Sequence, residues 1–146
     1  MITEAVATTN FEFKLELERR IKAPMERVFE ALLDELGPEA STPEANPMSM
    51  KIEPFPGGRW YRDLGGDNGH HWAHVQAIRR PDLLELTGPL FMSLPVTNNV
   101  QYRLSEDGDT TLLRLVHTAF GPVPEDVRQG MTQGWGQQLD RLTARF

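Results

Sequence analysis

The four histidines of this chain are its most reactive side chains, and three of them, His70, His71 and His74, crowd into one short stretch. On a strand, His70, Trp72 and His74 share one face and His71 takes the other. Two imidazoles on one face make part of a metal site, but a full set takes about three or four ligands with supporting carboxylates. Asp63 and Asp67 flank the same hairpin and are the nearest acids to contribute. A histidine-rich strand beside a polar loop also matches a solvated surface, and no metal is assigned to it. His117 stands apart. It has the strand parity of Leu113 and Leu115, so it faces the interior if they do, and a buried neutral imidazole needs a partner for each ring nitrogen. It is then either a core histidine, bonded to backbone or a neighbouring strand, or a polar anchor and proton-transfer group in an apolar pocket. Tyr102 and Asn98, on the inward face of the preceding strand, are its companions. Should the chain catalyse a reaction, His117 is the first candidate acid or base and Tyr102 the second.

Large apolar side chains supply the rest of a possible site. Trp60, Met131 and Trp135 are best suited to line a pocket, so the expected ligand-binding set is Trp60, Asn98, Tyr102, His117, Met131 and Trp135. Phe91, Met92 and Leu94 lie between Pro89 and Pro95 in a segment without periodicity, as a mobile flap at a cavity mouth or a cap on the core. No cofactor is expected. Gly57-Gly58 and Gly65-Gly66 are not in the strand-to-helix setting that cradles phosphate. No serine sits in a nucleophile elbow, and Asp107-Gly108-Asp109 lacks the ligand series of a calcium loop.

The elements that must position these residues are legible from periodicity. Phe11, Phe13, Leu15, Leu17 and Ile21 alternate with charged residues, as in a half-buried strand, and only Arg19 breaks the apolar row. Pro24 suits a helix start, and Met25, Val28, Phe29, Leu32, Leu33 and Leu36 form the stripe of an amphipathic helix. Further strands are predicted over residues 48–52, 59–64, 70–78, 83–87, 96–104 and 110–120, divided by glycine, proline and aspartate turns. A last helix over 125–145 puts Val127, Met131, Trp135, Leu139, Leu142 and Phe146 on one stripe. Gly130, Gly134 and Gly136 each cost that helix about 1 kcal/mol relative to alanine. Either the helix approaches the sheet closely there, or the missing side chains leave room for a cavity. Strands in antiparallel series with helices segregated at the ends indicate an α+β fold.

Composition sets outer limits. A chain of 146 residues with 39% hydrophobic and 25% charged residues is ordinary for one globular domain. We expect a flexible N-terminal segment over 1–10 and a single domain over 11–146. Net charge −6 argues against nucleic acid and anionic membrane surfaces as partners. With no cysteine there is no disulfide, thiolate nucleophile or Cys-based metal site. No secretory signal or membrane-length apolar run is visible, so a cytoplasmic protein is expected. The exposed side of Trp72 or of the first strand is the surface that could support a homodimer.

Several segments, in order, resemble the START-like, or SRPBCC, superfamily, and within it the branch related to the activator of heat-shock protein 90 ATPase. They are Ile21-Lys22-Ala23-Pro24 with Glu26, Val28 and Phe29; Pro56-Gly57-Gly58-Arg59-Trp60; the run from Gly69 to Ile78 leading to Pro81 and Leu84-Glu85-Leu86-Thr87; Val100 to Leu104; Thr111 to Leu115; and Gly134-Trp135 with Leu139 and Leu142. The resemblance spans residues 11–146. It implies a helix-grip fold: a curved antiparallel sheet of about six or seven strands wrapped around a long C-terminal helix, with an apolar cavity between them and a short helix after the first strand. Relatives bind lipids, hormones or polyketides, some act as cyclases or dehydratases, and some regulate partner proteins. The leading expectation is therefore a binder of a small hydrophobic or amphipathic ligand. The alternatives are an enzyme of cyclase, dehydratase or hydrolase type using the same cavity, and a protein-interaction module related to heat-shock ATPase activators. No residues correspond to an additional region for gripping a chaperone.

Overall fold

The computed structural model describes residues 11–42 and 44–146, so the segment 1–10, expected to be flexible, lies outside the described residues. The elements are β1 (Glu12–Ile21), α1 (Met25–Leu36), β2 (Met50–Ile52), β3 (Arg59–Gly65), β4 (Asn68–Arg79), β5 (Leu83–Gly88), β6 (Thr97–Asp107), β7 (Thr110–Phe120) and α2 (Glu125–Thr143). All seven strands join one antiparallel sheet in the order β1-β7-β6-β5-β4-β3-β2. α2 covers its inner face, and the whole is a helix-grip fold of the α+β class. No described helix is long and apolar enough to cross a membrane.

Period-2 patterning accounts for the inner face. Asn98, Val100, Tyr102 and Leu104 of β6 are buried, as are Thr111, Leu113, Leu115, His117 and Ala119 of β7. In register, Val100 faces His117 and Tyr102 faces Leu115, so the polar residues lie within one apolar surface. Leu139 and Leu142 of α2 close over it, together with Val28, Phe29, Leu32 and Leu36 of α1. The odd residue of the first strand has a partner: Arg19 reaches across to α2, where its Nε donates to Asp140 Oδ1 at 2.8 Å.

Some boundaries differ from the periodic expectation. Met48 falls outside β2 because Ser49 takes a left-handed φ of 56°. The β3–β4 hairpin turns on Gly66 and Asp67 alone, both with φ of 60°, which lengthens both strands; two successive positive φ values suit the tight turn of a hairpin. Asp63 Oδ1 accepts from Gly65 N, and Asn68 Nδ2 donates to the Gly65 and Gly66 carbonyls. In the segment after β5, Leu90 and Met92 are buried, while Phe91 and Leu94 stay exposed.

The most consequential difference is in β4. Trp60 pairs with Ala73 but its neighbour Tyr61 pairs with His71, so Trp72 is an extra residue, a β-bulge. The bulge resets the alternation. Ala73 and Val75 point inward with Trp72 beside them, and the exposed His74 joins the exposed His71 rather than His70. The predicted face of His70, Trp72 and His74 therefore does not form. Burial, then the neighbouring His74, hold the His71 imidazole below its ordinary pKa. Among the described residues, no three His, Asp or Glu side chains are grouped to hold a metal.

Close strand packing at the end of β5 generates a stability prediction. A Cβ on Gly88 would lie 2.6 Å from Ala73 Cα and nearer still to the Trp72 carbonyl oxygen. Both are backbone atoms beside the bulge and cannot yield cheaply. Gly88→Ala should cost about 1–3 kcal/mol in urea unfolding followed by circular dichroism. An unchanged midpoint would contradict this packing.

Candidate functional site

α2 meets the sheet through a polar thread as well as through leucines. The indole Nε1 of Trp135 donates to His117 Nδ1 at 2.9 Å, and His117 Nε2 lies 2.7 Å from Asn98 Oδ1. Asn98 Nδ2 in turn donates to the Gly88 carbonyl at 3.1 Å. An indole N–H can only donate, so Nδ1 must be an acceptor and the imidazole proton sits on Nε2. The thread thus sets the tautomer of His117 and the orientation of the Asn98 amide together. Burial keeps His117 neutral, its pKa lowered to about 4. The rings of Phe13 and Trp135 meet it edge to face at 5.9 and 5.8 Å. Tyr102 has its own partner, its hydroxyl donating to Gln138 Oε1 at 2.7 Å, and burial pushes that phenol's pKa up.

In front of this thread lies a cavity of about 150 Å³, between α2, the end of α1 and strands β3 and β4. Trp60, Met131 and Trp135 line it, as do Trp72, Met48 and Met50. Asn98, Tyr102 and His117 do not. They sit one layer behind, joined to the wall through Trp135 and Gln138. The six residues expected to form a ligand set are therefore divided into three that face the space and three that hold the wall. Phe91 lies at the rim, its ring 6.0 Å from that of Trp72.

The glycines of α2 explain the space. Gly130 and Gly134 both line the cavity, and a Cβ on either would meet nothing within 4 Å. Close approach of helix to sheet is therefore not what they serve; the missing side chains leave the cavity open. Gly136 faces the Arg19 guanidinium, 3.8 Å from where its Cβ would be.

Periodicity alone did not single out the polar part of the wall. Glu35 of α1 is only 5% exposed. Its Oε1 accepts from Arg145 Nε at 3.0 Å and pairs with Arg145 Nη2 at 2.8 Å. Its Oε2 lies 3.6 Å from Arg141 Nε, beyond hydrogen-bond distance. Glu35 Oε2, Arg141 Nε and Trp72 Nε1 are all buried and have no hydrogen-bond partner among the described residues. All three residues line the cavity, beside Gln138. A signal was present in the sequence: Glu35 stands two helical turns after Val28, on the apolar stripe, and Arg145, just past the end of α2, stands four residues after Arg141. Trp60 ties this corner together. Its Nε1 donates to the Leu36 carbonyl at 2.7 Å, one of the unpaired carbonyls at the α1 C-terminus, and its ring packs edge-on to Trp72 at 5.1 Å. A wider depression beside β2 and β3, open to solvent, has its Lys51 and Asp63 already paired at 2.7 Å.

Comparisons with known proteins agree with this architecture. The model of the family described as Activator of Hsp90 ATPase homolog 1-like protein matches residues 22–146. Among solved structures, CalU16 from Micromonospora echinospora is 25% identical with a TM-score of 0.62, the match covering 89% of this chain and 71% of that one. Mll3558 from Rhizobium loti shares 20% identity at a TM-score of 0.70, over 92% of this chain and 97% of that one. DynU16, from the dynemicin biosynthetic locus, shares 18% identity at a TM-score of 0.63, over 93% of this chain but 47% of its own. No curated protein sequence matches the chain.

The His117 thread makes stability depend on pH. The folded state refuses a proton until about pH 4, whereas the unfolded imidazole takes one near its ordinary 6.5. The contribution is complete above the unfolded value and is lost as pH falls toward the folded one, an effect of roughly 3 kcal/mol. Between pH 7 and about 4.5, the wild type should lose about 2 to 3 kcal/mol more in urea unfolding than His117→Gln does. Equal losses would show that His117 is not held neutral.

Proposed function

The chain belongs to the Activator of Hsp90 ATPase homolog 1-like protein family, and on that footing we propose that it binds a small amphipathic molecule in the cavity between sheet and C-terminal helix. One observation carries this reading: the cavity wall is largely apolar, yet it holds three buried polar atoms with no partner among the described residues. Buried polar groups are almost always hydrogen-bonded, so such atoms call for an occupant that bonds them. The glycines give a second line of support. α2 forgoes about 1 kcal/mol of helix propensity at each of Gly130 and Gly134, and the space they leave is the cavity.

Size limits the ligand. About 150 Å³ is below the ~300–1,000 Å³ of sites for drug-sized molecules and comparable to an engineered cavity that accepts benzene. A molecule of one ring fits without rearrangement. Binding is favoured over acid–base catalysis because His117 and Tyr102 spend their polar atoms on protein partners behind the wall. We take residues 11–146 as the unit that binds.

Filling the cavity from α2 is the test. With single-ring aromatics at millimolar concentration, the wild type should gain thermal stability, and Gly134→Leu should gain none. Without ligand, Gly134→Ala should be more stable than the wild type by up to about 1 kcal/mol. No shift in the wild type, or an equal shift in Gly134→Leu, would refute binding at this place.

A further inference from the structure

Glu35 Oε2 and Arg141 Nε face each other across 3.6 Å, one acceptor and one donor, both buried at the cavity wall and both unbonded. They are too far apart to satisfy one another, and neither has another partner among the described residues. An atom that accepts from the guanidinium and donates to the carboxylate would satisfy both at once. A hydroxyl does this with a single oxygen. An ammonium could only donate and would stand beside Arg141; a carboxylate could only accept and would stand beside Glu35. A methyl ether accepts but has no proton to give. The charge at this corner is already balanced, the carboxylates of Asp34 and Glu35 standing against the guanidiniums of Arg141 and Arg145, so a neutral group is favoured. Around it the wall is aromatic and sulfur-rich, with Trp60, Trp72, Trp135 and Met131, and the space is that of one ring.

We propose that the ligand is a single-ring alcohol of the phenol class, its hydroxyl bridging Glu35 Oε2 and Arg141 Nε and its ring lying against the tryptophans. This rests on the cavity being a binding site, and it adds the ligand's chemistry. Trp72 Nε1 is then a further donor on the same wall, free for an acceptor substituent on the ring.

Calorimetric titration with phenol, anisole and toluene tests both levels separately. On the wild type, phenol should bind at least about tenfold more tightly than anisole or toluene. Arg141→Met keeps the side-chain stem and removes Nε; it should erase the preference for phenol over toluene and anisole. Glu35→Gln should weaken phenol selectively in the same way. The comparison of the three probes on the wild type needs no variant, so poor folding of Glu35→Gln does not remove the test. Equal affinity for all three probes overturns the hydroxyl bridge, with water alone filling that corner, while leaving the cavity as an apolar binding site. A preference for phenol that survives Arg141→Met also overturns it, because the hydroxyl is then held elsewhere. Binding of none of the three overturns the bridge and the binding reading together.

Discussion

The concave side of this fold depends on how a helix of low intrinsic stability is kept in one place. α2 carries three glycines and begins at Pro124 without a side-chain cap. Its leucines supply burial, but apolar contact has no direction and tolerates sliding or rotation of a helix over a sheet. Direction in the interior comes from two hydrogen bonds one turn apart, Trp135 to His117 and Tyr102 to Gln138, with Arg19 to Asp140 added at the surface. Each interior bond is worth about 1 kcal/mol net, but breaking one strands a buried partner at a further cost of about 1–3 kcal/mol, enough to select a single rotation of the helix. The cavity is a by-product of that placement. With the helix held at Trp135 and Gln138, the glycines at 130 and 134 sit over open space.

This divides the polar interior into two layers with different duties. Behind the wall, Asn98, His117 and Tyr102 all have partners, the first two each other and Tyr102 the Gln138 amide, and strand register positions them. At the wall, Glu35, Arg141 and Trp72 keep unspent bonding capacity. Rigidity resides in the first layer and the free bonding capacity in the second. The link between them is physical, since Trp135 belongs to both: its N–H faces the sheet and its ring faces the cavity.

The sheet and both helices were legible from sequence because strand and helix periods are local. The alternation in β6 and β7 correctly turns Asn98, Tyr102 and His117 inward, and proline and glycine punctuation separates the elements. Period counting fails where the backbone breaks its own count. The bulge at Trp72 moves His74 to the outer face, and no composition cue marks it. It also fails where a side chain's role is set by a distant element. Arg19 interrupts an apolar row because Asp140 waits on α2, and Glu35 enters an apolar stripe because Arg141 and Arg145 lie over it. Whether an inward residue reaches a cavity or stops behind another side chain is a matter of depth, and a pattern of faces carries no depth. Hence Trp60, Met131 and Trp135 line the space, whereas their three polar companions do not.

All three tryptophans of the chain line this one small space, each with its indole nitrogen in a different state. Trp60 is bonded to a backbone carbonyl, Trp135 to an imidazole, and Trp72 to nothing among the described residues. The protein's tryptophan emission therefore originates wholly at the wall of the cavity, with no tryptophan elsewhere to dilute it. The molecule carries a built-in, label-free optical gauge of whether that space is filled.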